Sequence, residues 1–151
     1  MIKIICVGKV KEKYLQEAIK DYQKRISRYT KLEIIEVQDQ GIDDYNKAME
    51  IEAGQIEKYI DDRSYLITLE IEGDLITSVD LANKIDKTFT NYSNITFIIG
   101  GSYGISESLK TRANYHLSFS KMTFPHQLFR VLLLEQIYRS YKINNNERYH
   151  K

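Results

Sequence analysis

The segment from Pro125 to Tyr141 constrains the fold more than any other part of this chain. It holds Leu128, Phe129, Val131, Leu132, Leu133, Leu134, Ile137, Tyr138 and Tyr141. Wound as a helix, these residues occupy more than one face, whereas a helix lying on a protein surface shows a single apolar stripe. The sequence therefore predicts a helix covered from several sides, with a second copy of the chain as one source of cover. Pro125, the only proline, opens it, because the first helical turn has no use for the N–H that proline lacks. Arg130, Glu135 and Arg139 stand in the same apolar run, and charges buried there need partners or a task.

Ahead of that helix, strand and helix patterns alternate. Ile2 to Val7 is a nearly continuous apolar run closed by Gly8, as expected of a strand buried on both faces. Leu15, Ile19, Tyr22, Ile26 and Tyr29 then recur at helical intervals across 11–29, with Lys11, Lys13, Lys20, Lys24, Arg25 and Arg28 on the other face. A second strand covers 32–37. The acidic segment 43–62 has helical spacing that Gly54 weakens. A third strand spans 64–71 and ends at the turn Glu72-Gly73-Asp74. Thr77 and Asp80 mark a helix start. A fourth strand, 95–99, runs into Gly100-Gly101-Ser102-Tyr103-Gly104, Ser106 caps a brief helix, and a fifth strand covers 115–119. This order predicts an α/β fold with a mainly parallel sheet of five to six strands and helices on both faces. At 151 residues, with no linker or internal repeat, residues 1–151 form one domain.

Composition excludes several classes. No run approaches the roughly 18 apolar residues of a membrane span, and the N-terminal apolar run is too short for a secretory signal. The single cysteine, Cys6, sits in a core strand, which excludes an internal disulfide and suits a reducing, cytoplasmic setting. One cysteine and the scattered His116, His126 and His150 offer no metal-ligand spacing, so no metal is expected. Net charge is only +1, yet residues 1–31 carry nine Lys/Arg against three acids and residues 101–151 eight against three. Residues 32–100 carry five against fifteen. Basic ends around an acidic waist fit either a face for an anionic partner or solvated charge on exposed helices.

Ligands of parallel sheets bind beyond the carboxyl ends of the strands. Three such ends stand out: Leu69–Gly73, Ile99–Gly104 and Phe119–Phe124. The glycines at 100, 101 and 104 match neither the dinucleotide fingerprint nor the phosphate loop, so they read equally as a tight turn or a ligand loop. No serine-hydrolase elbow exists. His126 reads equally as a capping residue and a functional imidazole. Tyr149-His150-Lys151 reads by default as a solvated tail.

Longer patterns say more. The run Ser118-Phe119-Ser120-Lys121-Met122-Thr123-Phe124-Pro125-His126-Gln127, then Arg130, Glu135-Gln136, Tyr138-Arg139 and Tyr149-His150-Lys151, closely resembles the ribosomal RNA large subunit methyltransferase H family. These are SPOUT-class enzymes that methylate N3 of a pseudouridine in 23S rRNA. The resemblance spans the whole chain, including I-x-x-x-G-K at Ile4–Lys9, K-E-K-Y at Lys11–Tyr14, I-T-L-E-I-x-G at Ile67–Gly73 and I-G-G-x-x-G at Ile99–Gly104.

The resemblance implies a deep trefoil knot in the C-terminal part, a homodimer, and S-adenosylmethionine bound in a bent form. Carried over by position, the cofactor contacts are Leu69, Gly100, Phe119, Ser120, Lys121, Met122, Thr123 and Phe124. The pseudouridine N3 must lose a proton, which makes His150 a candidate base, with Tyr149 and Arg139 positioning the base or stabilising its anionic form. The partner is 23S rRNA within the ribosome, its phosphates tracked by the basic ends. Where the family has a glycine before the final Tyr-His, this chain has Asn144-Asn145-Asn146, and Asn tolerates positive φ. The alternative is a non-catalytic ribosome- or RNA-binding protein of the same fold. A flavodoxin-like nucleotide binder is disfavoured by the missing phosphate loop.

Overall fold

A computed structural model describes residues 1–151. Five strands alternate with five helices: β1 (Ile2–Val7), α1 (Lys13–Ile26), β2 (Leu32–Val37), α2 (Tyr45–Glu57), β3 (Tyr65–Leu75), α3 (Ser78–Asn91), β4 (Ile95–Ile99), α4 (Glu107–Arg112), β5 (Tyr115–Ser118) and α5 (His126–Asn144). The sheet order is β2-β1-β4-β3-β5, and every pairing is parallel. Five strands form, at the lower end of the expected range.

Side-chain alternation sorts the core into two layers. Ile2, Ile4 and Cys6 of β1, with Phe97 of β4, face Leu15, Ile19 and Ile26 of α1, Leu81 and Ile85 of α3, and Leu133, Leu134 and Ile137 of α5. Ile5 and Val7, with Leu66 and Ile98, face Ala53 and Ile56 of α2 and Leu109 of α4. Each fully buried Ile or Leu contributes about 1.5–3 kcal/mol, so both faces need their helices. α1 and α3 each pack along α5. They account for much of the cover that its apolar faces demand, while Leu128 stays exposed and Val131 and Leu132 half-buried.

Local signals set the element ends. Thr77 and Asp80 form a reciprocal capping box at the start of α3, each side chain accepting the other residue's backbone N–H at 3.0 Å. Ser106 accepts the Leu109 N–H to cap α4. Pro125 stands just before the first helical residue, and its carbonyl accepts the Phe129 N–H at 2.9 Å. At the other end α5 continues past Tyr141 to Asn144. Asn146 then takes the left-handed conformation, φ 55°, at the bend that returns the tail toward α5.

β3 departs from the expected turn at residues 72–74. Its register with β5 shifts, so that both Leu69 and Asp74 stand opposite Leu117, and pairing resumes through Leu75. Residues 70–73 are thereby pushed out of the ladder as a bulge.

Cys6 is fully buried, and burial pushes its thiol up to about 12. A thiol at that value holds almost no thiolate at neutral pH. Native protein is therefore expected to be inert to thiol reagents, with full reaction of one thiol on denaturation; rapid labelling of native protein would contradict this burial.

Candidate functional site

The carboxyl ends of β3, β4 and β5 meet around one cavity of about 290 Å³. Its floor is apolar: Leu69, Ile99, Ile105, Leu117 and Phe129. The β3 bulge contributes Glu70, Ile71 and Glu72, the glycine turn contributes Gly100, Gly101, Tyr103 and Gly104, and the segment after β5 contributes Phe119, Ser120, Met122, Thr123 and Phe124. Seven of the eight residues expected to contact a cofactor thus line one cavity. Lys121 does not line the cavity; its side chain is exposed, because Ser118 and Ser120 fold the 118–122 turn on itself. Ser118 Oγ donates to the Ser120 carbonyl and Ser120 Oγ accepts the Met122 N–H.

The glycine segment is a tight turn, the first of the two readings its sequence allowed. Gly101 and Gly104 pair as an isolated antiparallel bridge, and Gly104 has φ 87°. A Cβ at Gly100 would lie 2.5 Å from the Gly104 carbonyl oxygen, so only glycine permits a turn this tight. The same turn forms one side of the cavity. His126 also lines it, and makes no side-chain cap bond to α5.

Missed from the sequence is a polar cluster at the bulge. Glu70 accepts from the Thr68 hydroxyl at 2.6 Å, pairs with His116 Nδ1, and lies 3.6 Å from Lys110 Nζ. Burial alone would raise the Glu70 carboxyl, but Thr68, His116 and Lys110 together hold it below its usual range. An acid inside the otherwise apolar I-T-L-E-I strand was the available signal.

The three residues expected to act on the substrate gather elsewhere. Arg139, Tyr149 and His150 do not line the cavity. They do form one cluster. The tail is not free: Glu147 accepts from Tyr29 and Lys142, and Tyr149 packs edge-on against Tyr138 at 5.0 Å. The Tyr149 hydroxyl donates to Glu135 at 3.1 Å, and the Arg139 guanidinium lies 4.8 Å over the Tyr149 ring. Burial, then the Glu135 charge, push the Tyr149 hydroxyl up to about 12, so it stays a neutral phenol. Arg139 Nη1 is 3.1 Å from His150 Nδ1. A guanidinium can only donate, so in this bond Nδ1 is the acceptor.

The basic helix α1 packs beside α5 on one side of the sheet, whereas α2 and α4, the latter with Lys110 and Arg112, lie across it. No group of three or more His, Cys, Asp or Glu residues is placed to hold a metal ion, and no helix is long and apolar enough to cross a membrane.

The sequence and the fold have counterparts among known proteins. A family model described as "Predicted SPOUT methyltransferase" matches residues 1–150. The ribosomal RNA large subunit methyltransferase H of Clostridium botulinum strain Alaska E43 is 53% identical, with 99% of each chain covered. That of Clostridium tetani is also 53% identical over 99% of each chain. The structure of a probable methylase family protein from Haemophilus influenzae superposes with a TM-score of 0.61, covering 99% of this chain and 70% of that one. At 16% identity, that likeness concerns the fold alone. The chain belongs to the SPOUT methyltransferase family, in its ribosomal RNA large subunit methyltransferase H group.

The Glu70 cluster makes a pH-dependent contribution. A carboxyl held low in the folded state stabilises it above the unfolded value of about 4.3 and loses that effect as pH falls through the folded value. Glu70→Gln is expected to lower Tm at pH 7, with the gap from wild type closing below about pH 4. A constant gap across pH in thermal melts would contradict it.

Proposed function

We propose that this protein transfers a methyl group from S-adenosylmethionine to N3 of a pseudouridine in 23S rRNA within the ribosome, in the cytoplasm. The observation that carries this reading is the convergence of Leu69, Gly100 and the 119–124 segment on one cavity. Its volume is near the lower limit of small-molecule pockets, about 300–1,000 Å³, which suits a bent cofactor more than an extended one. Apolar floor residues suit an adenine ring, and Glu72 suits a cationic ligand. When bound, S-adenosylmethionine supplies an electrophilic methyl group on a sulfonium. Lys110, the one amine in the lining, is engaged by Glu70 and Glu107 at 3.6 Å each.

The reading includes a deep trefoil knot, with the C-terminal segment drawn through a loop so that 119–124 lies against 69–73 and 99–105. It also includes a homodimer. Exposed Met122 and Leu128, at 75% and 38%, are apolar surface beside the cavity that a partner would cover. Because Arg139, Tyr149 and His150 stand outside the cavity of their own chain, a dimer gives the tail of one protomer access to the cavity of the other.

Chemistry at N3 requires its proton to leave. Neutral imidazole is suited to take it near neutral pH, and Nδ1, the nitrogen of His150 that accepts from Arg139, is the lone pair at hand. Substrate entry displaces the exposed His150 ring from Nη1, while Arg139 keeps its place on Glu135 and its positive charge offsets the charge left as the N3–H bond breaks. Nδ1 then takes the proton, and the bond from N3 to the methyl carbon would form as the methyl–sulfur bond breaks, its electron pair leaving on sulfur as a neutral thioether. Tyr149, neutral and committed to Glu135, orients the cluster and is not itself a base.

Radiolabelled methyl transfer to ribosomes lacking the modification, with the product nucleotide identified by mass, tests the reading. Wild type is expected to yield a methylated pseudouridine. His150→Ala is expected to lower kcat about 100-fold or more with cofactor affinity unchanged. Cofactor binding without any methyl transfer would instead identify a non-catalytic RNA-binding protein. RNA affinity is expected to fall by roughly 10³-fold or more between 50 and 200 mM salt if several phosphates are contacted; a flat response would remove the basic face from the binding surface.

A further inference from the structure

Glu135 is a charged residue on the most apolar helix of the chain, and its side chain is 18% exposed. Four donors converge on its two oxygens. Oε1 accepts from Arg139 Nη2 and, at 3.1 Å, from the Tyr149 hydroxyl. Oε2 accepts from Gln136 Nε2 at 2.8 Å and from Arg139 Nε at 3.4 Å. Gln136 is itself anchored across the helix pair, since its Oε1 accepts from Ser78 Oγ at 2.7 Å. A carboxylate has about four lone-pair sites, so Glu135 has none left for a substrate.

We propose that Glu135 is the positioning residue of the C-terminal cluster, fixing Arg139 and Tyr149 directly and His150 through Arg139. This rests on the methyltransferase reading given above. Three features support it. Glu135 and Arg139 are four residues apart on one helix face, with the acid N-terminal to the base, the favourable order. Fixing Nε and Nη2 on Glu135 leaves Nη1 directed at His150 Nδ1. The Tyr149 ring lies beneath the same guanidinium, so one carboxylate sets the plane of the guanidinium and the position of the ring. Stability does not explain the arrangement. A partly exposed ion pair is worth little, and α5 is already held by buried Leu133, Leu134 and Ile137.

The test uses full-length Glu135→Gln, which keeps the side-chain shape but removes the charge. Expected are a kcat for methyl transfer lowered about 100-fold, and cofactor and RNA affinities within about twofold of wild type, the scale of a neutral surface change. Amide exchange should quicken at residues 147–150 and stay unchanged along α5. Glu135→Gln/Tyr149→Phe should be no slower than Glu135→Gln alone, because both changes break one unit. Additive losses, a kcat within about twofold of wild type, or unaltered tail exchange would each overturn the proposal. If wild type transfers no methyl group, the functional reading fails, and tail exchange alone then decides whether Glu135 holds the cluster. If Glu135→Gln does not fold, Tyr149→Phe breaks the same bond from the other side: faster exchange at 147–150 supports the proposal and unchanged exchange overturns it.

Discussion

One guanidinium ties the last helix of the chain to its first two strands. The Arg130 side chain on α5 is 2% exposed, and its Nη1 lies 2.6 Å from Glu36 Oε2 of β2. Its Nη2 donates to the Gly8 carbonyl just past β1, at 3.1 Å. Nε has no partner, so the bond set is unsaturated and its value is chiefly geometric. An ion pair with a buried member is a weak source of net stability but a strict one of arrangement, since losing Glu36 would strand the buried guanidinium. Gln127 adds to the same junction by accepting the Lys11 N–H at 3.2 Å. With the first turn of α5 held there, the segment 119–124 must span from the end of β5 to that point, and this path gives the cavity its third wall.

Much of this was legible in the residues. Apolar runs bounded by glycine located the strands, seam spacing located α1, and the Thr77–Asp80 pair located the start of α3. The many-sided apolar character of α5 foretold its place between α1 and α3. What was not legible depends on partners distant in sequence. The β3 bulge is a matter of register against β5, and no property of residues 70–73 alone reveals which residue of β5 they bypass. The tail was similarly hidden. Glu147, Tyr149 and His150 look like a polar end until Tyr29, Glu135 and Arg139 are placed beside them. Lys121 sits in the middle of a run whose neighbours line the cavity, and only the serine-bonded turn at 118–122 directs it outward.

Cavity and tail cluster are built on different physical principles. The cavity is backbone and apolar surface, shaped by a glycine turn and a bulge, and suits recognition by form. The tail cluster is charge and aromatic surface, with its tyrosine held neutral and its histidine exposed, and suits chemistry on a polar partner. Phe119 and Phe124 join the two regions, because each also borders a second cavity that Glu135 and Gln136 line. Both phenyl rings pack on Phe129, with centroids 4.9 and 6.4 Å away. An aromatic partition therefore separates the two chemistries on one helix.

The sheet order has a consequence for synthesis on the ribosome. β1 gains β2 early, but its other edge must wait for β4, because Ile2 pairs with Ile95. β3 is worse placed: its only neighbours are β4 and β5, both made after it, though Leu66 and Ile67 are among its most deeply buried residues in the finished fold. At about 5–20 residues per second, the nascent chain carries an apolar strand with both edges unpaired for on the order of seconds. α5, which closes one core layer, emerges last of all. Vectorial emergence thus leaves the sheet incomplete until the C-terminal third of the chain is free.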